Sequence, residues 1–198
     1  MDKVSICNLA LNRLGIDNIS SLTEESEQAR KCKASYDIAL ETILREFDWN
    51  FSTKITQLAL IDDTESLTPG WKYKYTYPVD CVKIRRIFSP DNLNELQRNN
   101  HYRIINFQSA RTIATNIVLG WIEYTARISD TGLYDSQFAD TLAWRLAAEL
   151  ATTLTGKEQL YDRAMNNYQR AMLSAYHNDG KEENDVEERI NRYEEARW

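Results

Sequence analysis

The first fifty residues carry two stretches in which apolar residues recur at the spacing of an α-helix. In the first stretch they stand at i, i+3, i+4 and i+7, which is one helix face: Cys7, Ala10, Leu11 and Leu14. Asp2 can cap this helix at its start, and Gly15 can end it in a left-handed turn. A second apolar stripe runs from Ala29 to Phe47, and we expect Thr23 to cap that helix. The chain therefore opens with a helical hairpin.

Residues 51–130 change from helical spacing to strand-like patterns. The clearest strand alternates between two faces, with Trp71, Tyr73, Tyr75 and Tyr77 on one and Lys72, Lys74 and Thr76 on the other. A second strand is predicted over residues 81–88, and weaker candidates lie at 102–107, 111–114 and 117–124. Short polar loops between adjacent strands favour antiparallel pairing. We expect the aromatic face to be buried, in the subunit core or against a partner.

Helical spacing returns near residue 135 and is broken at Gly156 before a last helix. The expected fold class is α+β, an antiparallel four-helix bundle with a β-rich antiparallel insertion between the second and third helices. Residues 1–50 then hold helices 1 and 2, 51–130 the insertion, 131–178 helices 3 and 4, and 179–198 an extended C-terminal docking tail or helix.

The C-terminal tail has a narrow apolar stripe in a charged context. Val186, Ile190 and Tyr193 stand at i, i+4 and i+7, and Trp198 ends the chain. Burying these four side chains contributes about 6 to 12 kcal/mol. Ordering about eighteen residues costs roughly 1 to 2 kcal/mol each. We therefore predict that these four residues bind a partner, the portal or a neighbouring subunit; the alternative is a solvated charged tail.

The composition argues against several classes of function. The net charge of −6 leaves no generic affinity for nucleic acid, and no apolar run is long enough to span a membrane. Three widely spaced cysteines do not predict a disulfide framework or a zinc site. Neither His101 nor His177 has a nucleophile or metal ligand nearby in sequence, and there is no glycine-rich phosphate loop. We expect no enzymatic activity and no cofactor.

One short basic cluster stands out on the predicted strand 81–88. It contains Lys83, Arg85 and Arg86. These side chains could face DNA, or they could form salt bridges with an acidic neighbouring subunit. The acidic overall charge favours the second interpretation.

Several motifs, in this order and spacing, resemble tailed-phage head-to-tail adaptors, with the tail tubular protein A family of short-tailed phages as the nearest relatives. At the N-terminus the motifs are Ile6-Cys7-Asn8-Leu9-Ala10-Leu11-x-Arg13-Leu14-Gly15, Ile19-Ser20-Ser21-Leu22, Ala29-x-x-Cys32-x-x-x-Tyr36 and Trp49-Asn50-Phe51. Further on they are Tyr77-Pro78-x-Asp80-Cys81 and Phe138-x-x-x-Leu142-Ala143-Trp144-Arg145-Leu146-Ala147 before Thr155-Gly156. The likeness covers residues 4–176.

The resemblance implies a structural role in the virion, at the neck or tail, after synthesis and assembly in the host cytoplasm. Members of the family form a homo-oligomeric ring, expected to be a dodecamer, under the portal protein. The ring joins the capsid to a downstream tail or nozzle protein, and DNA passes through its channel without specific binding. The residues themselves leave one alternative open, a nucleic-acid-binding helical module that uses the strand from Lys83 to Arg86.

Overall fold

The structure, a computed structural model, describes residues 1–63, 68–89 and 101–182. These residues form four α-helices and seven β-strands. The helices are α1 Lys3–Leu14, α2 Glu27–Glu46, α3 Ser136–Leu150 and α4 Glu158–Glu182. The strands are β1 Thr53–Gln57, β2 Leu60–Asp62, β3 Tyr73–Thr76, β4 Cys81–Phe88, β5 Tyr102–Phe107, β6 Ala110–Thr115 and β7 Trp121–Ala126. In this described part of the chain, no helix combines the length and the apolar character that crossing a membrane requires.

The predicted ends of α1 are confirmed. The Asp2 carboxylate accepts a hydrogen bond from the Ser5 backbone N–H at 2.8 Å, and Gly15 adopts a left-handed conformation with φ of 73°. The expected cap of α2 is wrong, because Ser26 occupies that position and its hydroxyl accepts from the Ala29 N–H. Capping requires an extended residue immediately before the first helical turn, and the helix begins three residues later than expected.

Helix α3 lies at the centre of the helical part and packs against α1, α2 and α4. The core here is continuous and includes the largest fully buried side chains of the helices, among them Leu11, Leu40, Ile43, Phe138 and Leu142. Trp49, just after α2, packs its ring edge to face against Phe138 at 4.9 Å. The indole N–H of Trp49 donates to the Ile43 carbonyl at 3.1 Å. This buried polar atom is thereby satisfied, as burial requires.

The expected four-helix bundle with a single β-rich insertion is wrong. The chain is α+β with four helices and two antiparallel sheets in its middle, ordered β1-β7-β4 and β2-β3-β6-β5. The three-stranded sheet also packs on α2, and Val82 of β4 belongs to the helical core. The sequence could not predict two sheets, because the alternation of apolar and polar residues fixes which residues of a strand share a face but not which strands pair.

The second core lies among the strands and contains most of their inward-facing apolar side chains: Tyr75, Ile84, Ile87, Ile113, Ile122 and Tyr124. Tyr75 and Tyr77 are buried within the subunit, which confirms the expectation for these two members of the aromatic face. The opposite face of β3 is not uniformly exposed. Lys74 is fully buried, and its ammonium lies 3.1 Å from the Asp62 carboxylate. A buried cation of this kind requires such a partner.

Helix α4 continues to Glu182, beyond residue 178 where we expected the bundle to end. The predicted docking residues Val186, Ile190, Tyr193 and Trp198 lie outside the described residues. They follow α4 directly in sequence.

Substitution of Tyr75 tests the core among the strands. The Tyr75 hydroxyl donates to the Ile117 carbonyl at 2.9 Å and accepts from the Gly120 N–H. Tyr75→Ala should lower the free energy of unfolding by about 3 to 5 kcal/mol, because it removes a buried ring and leaves a cavity. Tyr75→Phe keeps the ring and should cost only about 1 to 3 kcal/mol. Chemical denaturation measures both, and equal losses would contradict a packing role for the ring.

We predict that protonation of Glu24 at acid pH lowers the stability of the folded chain. Hydrogen bonds from the Ser26 and Ser20 hydroxyls and the Ser20 backbone N–H lower its pKa from 4.5 to about 2. The unfolded chain therefore binds this proton first as the pH falls, and the stability that Glu24 confers is complete above pH 4.5 and lost toward pH 2.

Glu24→Gln should therefore flatten the loss of stability between pH 4.5 and 2, measured by urea denaturation at each pH. Glu25→Gln removes the same charge from the next residue without touching the serine hydrogen bonds, and is the matched control. Indistinguishable pH profiles for wild type and Glu24→Gln would contradict the assignment.

Candidate functional site

The basic cluster lies on β4, at one edge of the three-stranded sheet. The register between β4 and β7 shifts between Cys81 and Lys83 and again between Ile84 and Arg86. Such bulges re-aim side chains. Here the consecutive residues Arg85 and Arg86 reach different partners.

Arg85 reaches inward toward the end of α2. Its guanidinium donates to the Thr125 hydroxyl at 3.0 Å, the Thr53 hydroxyl at 2.7 Å and the Trp49 carbonyl at 2.7 Å. The Asp48 carboxylate lies 3.6 Å away, and the Arg85 side chain is only 10% exposed. These contacts join β4, β7 and β1 to the residues that end the helical hairpin.

The other two cations of the cluster also have carboxylate partners within the subunit. The Lys83 ammonium lies 2.8 Å from Asp48, and the Arg86 guanidinium lies 2.6 Å from Glu123. The Lys83 and Arg86 side chains are 37% and 44% exposed, so leaving these partners to bind a phosphate backbone would cost only about 1 kcal/mol or less for each pair. Whether Lys83, Arg85 and Arg86 also meet DNA or a neighbouring subunit stays a prediction.

The titratable residues do not converge on a reactive centre in the part of the chain that the structure describes. In residues 1–63, 68–89 and 101–182, no group of three or more His, Cys, Asp or Glu side chains is placed to hold a metal ion. His101 and His177 are both exposed. A hydrogen bond with Cys32, together with burial, raises the pKa of the Cys7 thiol. Cys7 therefore stays protonated and is a packing residue, because the thiolate is the reactive form.

One concave surface in the described part of the chain is an open groove of about 490 Å³ between the end of α2 and α4. Its lining is largely apolar and rich in methionine: Glu46, Met165, Tyr168, Gln169, Met172 and Leu173. The Tyr168 hydroxyl donates to the Glu46 carboxylate, and burial together with this carboxylate raises the pKa of Tyr168. The groove therefore has a polar anchor at one point and adaptable apolar walls elsewhere.

The rim of the groove exposes large apolar side chains on α4. Leu173 is 61% exposed and Tyr176 is 58% exposed, although the Tyr176 ring also contacts Phe47 at 5.3 Å. Exposed apolar side chains beside an apolar groove are typical of a docking surface for another protein segment. We call this groove with its rim the α2–α4 groove.

Sequence reasoning missed the α2–α4 groove. It assigned no functional surface to the last helix, whose core-facing side includes Met165 and Met172, both partly exposed in the structure. Leu173 and Tyr176 fall beside that face, so the apolar stripe of α4 is wider than one neighbouring helix can cover. The excess width is the signal that could have identified the surface.

A comparison of the chain with models of known protein families finds no matching family, and a comparison with curated proteins finds no match. The resemblance to phage adaptors is therefore a hypothesis that rests on the order and spacing of the sequence motifs.

Arg85 should be a structural side chain rather than a ligand contact. Arg85→Ala removes a charged donor from the Thr53 and Thr125 hydroxyls and from the buried Trp49 carbonyl, which keeps its hydrogen bonds from Ser52. It should lower the free energy of unfolding by about 2 to 4 kcal/mol. Arg127 forms exposed pairs with Asp37 and Glu41, so Arg127→Ala makes the same charge change and should cost at most about 1 kcal/mol. Equal small losses in denaturant melts would mean that Arg85 is dispensable for the fold.

Proposed function

We propose that this chain is a non-enzymatic structural adaptor of a tailed bacteriophage. It would form a ring under the portal, join the capsid to the tail and surround the DNA channel. The observation that carries the proposal is the α2–α4 groove, an apolar docking surface in a chain whose motifs resemble adaptor proteins. A protein that works by assembly needs such surfaces, because apolar burial supplies most of the free energy of association.

The proposed contacts follow from the position of this groove. Helix α4 carries the groove and leads directly to residues 183–198. The stripe of Val186, Ile190, Tyr193 and Trp198 would bind the portal or an adjacent subunit. Contacts between different surfaces of identical subunits are heterologous, and such contacts close into rings when the rotation per subunit allows it. The β-rich part would contact the downstream tail or nozzle protein.

The charges favour a channel that does not bind DNA tightly. The chain carries a net charge of −6, and the cations of β4 pair with Asp48 and Glu123 inside the subunit. Many acidic copies around a duplex would repel its phosphates and keep it mobile. Tight binding would instead require cations that are available to displace counterions.

The assembly proposal is tested with substitutions on the rim of the groove. Leu173→Lys/Tyr176→Lys should abolish or sharply reduce ring formation, alone and with the portal protein of the same phage, seen by negative-stain imaging and mass photometry. The two lysines put charge on an apolar contact without entering the core. Ile38→Lys changes an exposed isoleucine on α2 and is the matched control. Melting temperatures should stay close to wild type in all variants.

DNA binding separates the proposal from the nucleic-acid-binding alternative. We expect no tight duplex binding at physiological salt and little salt dependence. Affinity that falls steeply as salt rises, and that is lost with Lys83→Glu, would favour the alternative. Ring formation unaffected by the rim substitutions would contradict the assigned surface.

A further inference from the structure

The turn between β6 and β7, residues 116–120, exposes two aliphatic side chains at its tip. Val118 is 51% exposed and Leu119 is 55% exposed. Leu119 also has a φ of 51°, a left-handed backbone conformation that a leucine rarely adopts and that costs free energy. Backbone strain of this kind persists where the surrounding structure imposes it, and it is concentrated at functional positions. We call this turn with its two exposed side chains the β6–β7 knob.

Hydrogen bonds on both sides hold the β6–β7 knob in place. The Tyr75 hydroxyl donates to the Ile117 carbonyl at 2.9 Å and accepts from the Gly120 N–H at 3.3 Å. The Asn116 side chain accepts from the Lys72 N–H at 2.9 Å. The exposed aliphatic side chains are therefore presented by a fixed backbone, so binding a partner costs little conformational entropy.

The β6–β7 knob lies far from the helical part of its own subunit. It precedes Trp121, the first residue of β7, and this strand ends at Ala126. Arg127, the next residue, pairs with Asp37 and Glu41 on α2. The six residues of β7 span about 17 Å. A knob held at that distance does not contact the α2–α4 groove of its own subunit, so a contact between the two joins different copies.

The charges beside these two surfaces are opposite in sign. Lys72 is exposed next to the knob, and its ammonium lies 5.3 Å from the centre of the Tyr73 ring, with no ion pair to a carboxylate in the part of the chain that the structure describes. Glu46 lines the groove, is exposed and accepts from the Tyr168 hydroxyl, and it forms no ion pair with a cation within residues 1–63, 68–89 and 101–182. Opposite charges of this kind fix the register between two partners.

We propose that the β6–β7 knob of one copy of this chain inserts into the α2–α4 groove of the next copy. Val118 and Leu119 pack against the methionine walls, which adapt to an aliphatic partner, and Lys72 pairs with Glu46. An apolar knob on one surface and an apolar groove on another make a heterologous contact, which closes into a ring when the rotation per copy allows it. The inference rests on the proposed function for the closed ring, whereas the contact itself rests on the two surfaces.

Substitution of Leu119 tests the contact. Leu119→Asn removes the exposed aliphatic side chain and introduces a residue that tolerates the left-handed conformation. Self-association of the full-length protein, measured by sedimentation velocity from about 1 to 100 µM, should weaken at least about tenfold, because an apolar side chain is no longer buried. The melting temperature should equal that of wild type or rise. Val79→Asn changes a fully exposed valine in another turn and is the matched control.

Cross-linking identifies the two surfaces that meet. The three native cysteines are buried, so a short bismaleimide reacts with an introduced cysteine. Copies with Val118→Cys, mixed with copies with Gln169→Cys in the groove, should give cross-linked pairs. Val118→Cys alone should give none, because the contact is heterologous. Val79→Cys mixed with Gln169→Cys is the control and should also give none.

A charge swap in the same mixture tests the register. Lys72→Glu in the Val118→Cys copy should lower the cross-linking about two- to fivefold, as expected for an exposed ion pair. Glu46→Lys in the Gln169→Cys copy should then restore it, because opposite charges again face each other.

The outcomes separate this contact from the adaptor proposal. A monomer without cross-links at the highest concentration, cross-links that persist with Leu119→Asn, or no restoration by the charge swap would overturn the contact. Rings that form normally with Leu119→Asn would also overturn it and would leave the adaptor proposal standing. Cross-linked open chains that never close into rings, alone or with the portal protein, would support the contact and contradict the adaptor proposal.

Discussion

The backbone carbonyl of Trp49 is the point on which the two parts of the molecule depend. It accepts hydrogen bonds from the Ser52 N–H and hydroxyl at 3.1 and 2.9 Å, and from the Arg85 guanidinium at 2.7 Å. The indole of the same residue packs in the helical core against Phe138. One buried residue therefore holds the helices through its side chain and the sheets through its carbonyl. Charged donors make such buried bonds stronger than neutral ones.

This junction connects the three-stranded sheet to the helical part. β4 and β7 pack on α2, and the Arg85 guanidinium connects β4 to Trp49 and Thr53. On the helical side, α3 is surrounded by its three neighbours, and the outermost helix α4 keeps an apolar face that they do not cover.

The sequence predicts the local structure well and the arrangement of strands poorly. Helical spacing and the residues Asp2 and Gly15 located α1, because capping is decided by nearby side chains. Alternation located the buried Tyr75, but it could not show that the strands divide into two sheets, since pairing joins residues far apart in the chain. The burial of Lys74 and the inward position of Arg85 depend on Asp62 and Thr53, which no local pattern connects to them.

The acidic surface and the apolar surfaces act on assembly over different distances. Approaching copies repel one another through the net charge of −6, which already includes Lys83 and Arg86. At physiological salt this repulsion extends only about 8 Å. Apolar burial acts only at contact and is not screened by salt, and the α2–α4 groove is an apolar surface of this kind. Added salt therefore weakens the repulsion between copies of this protein, whereas it opposes binding to phosphate.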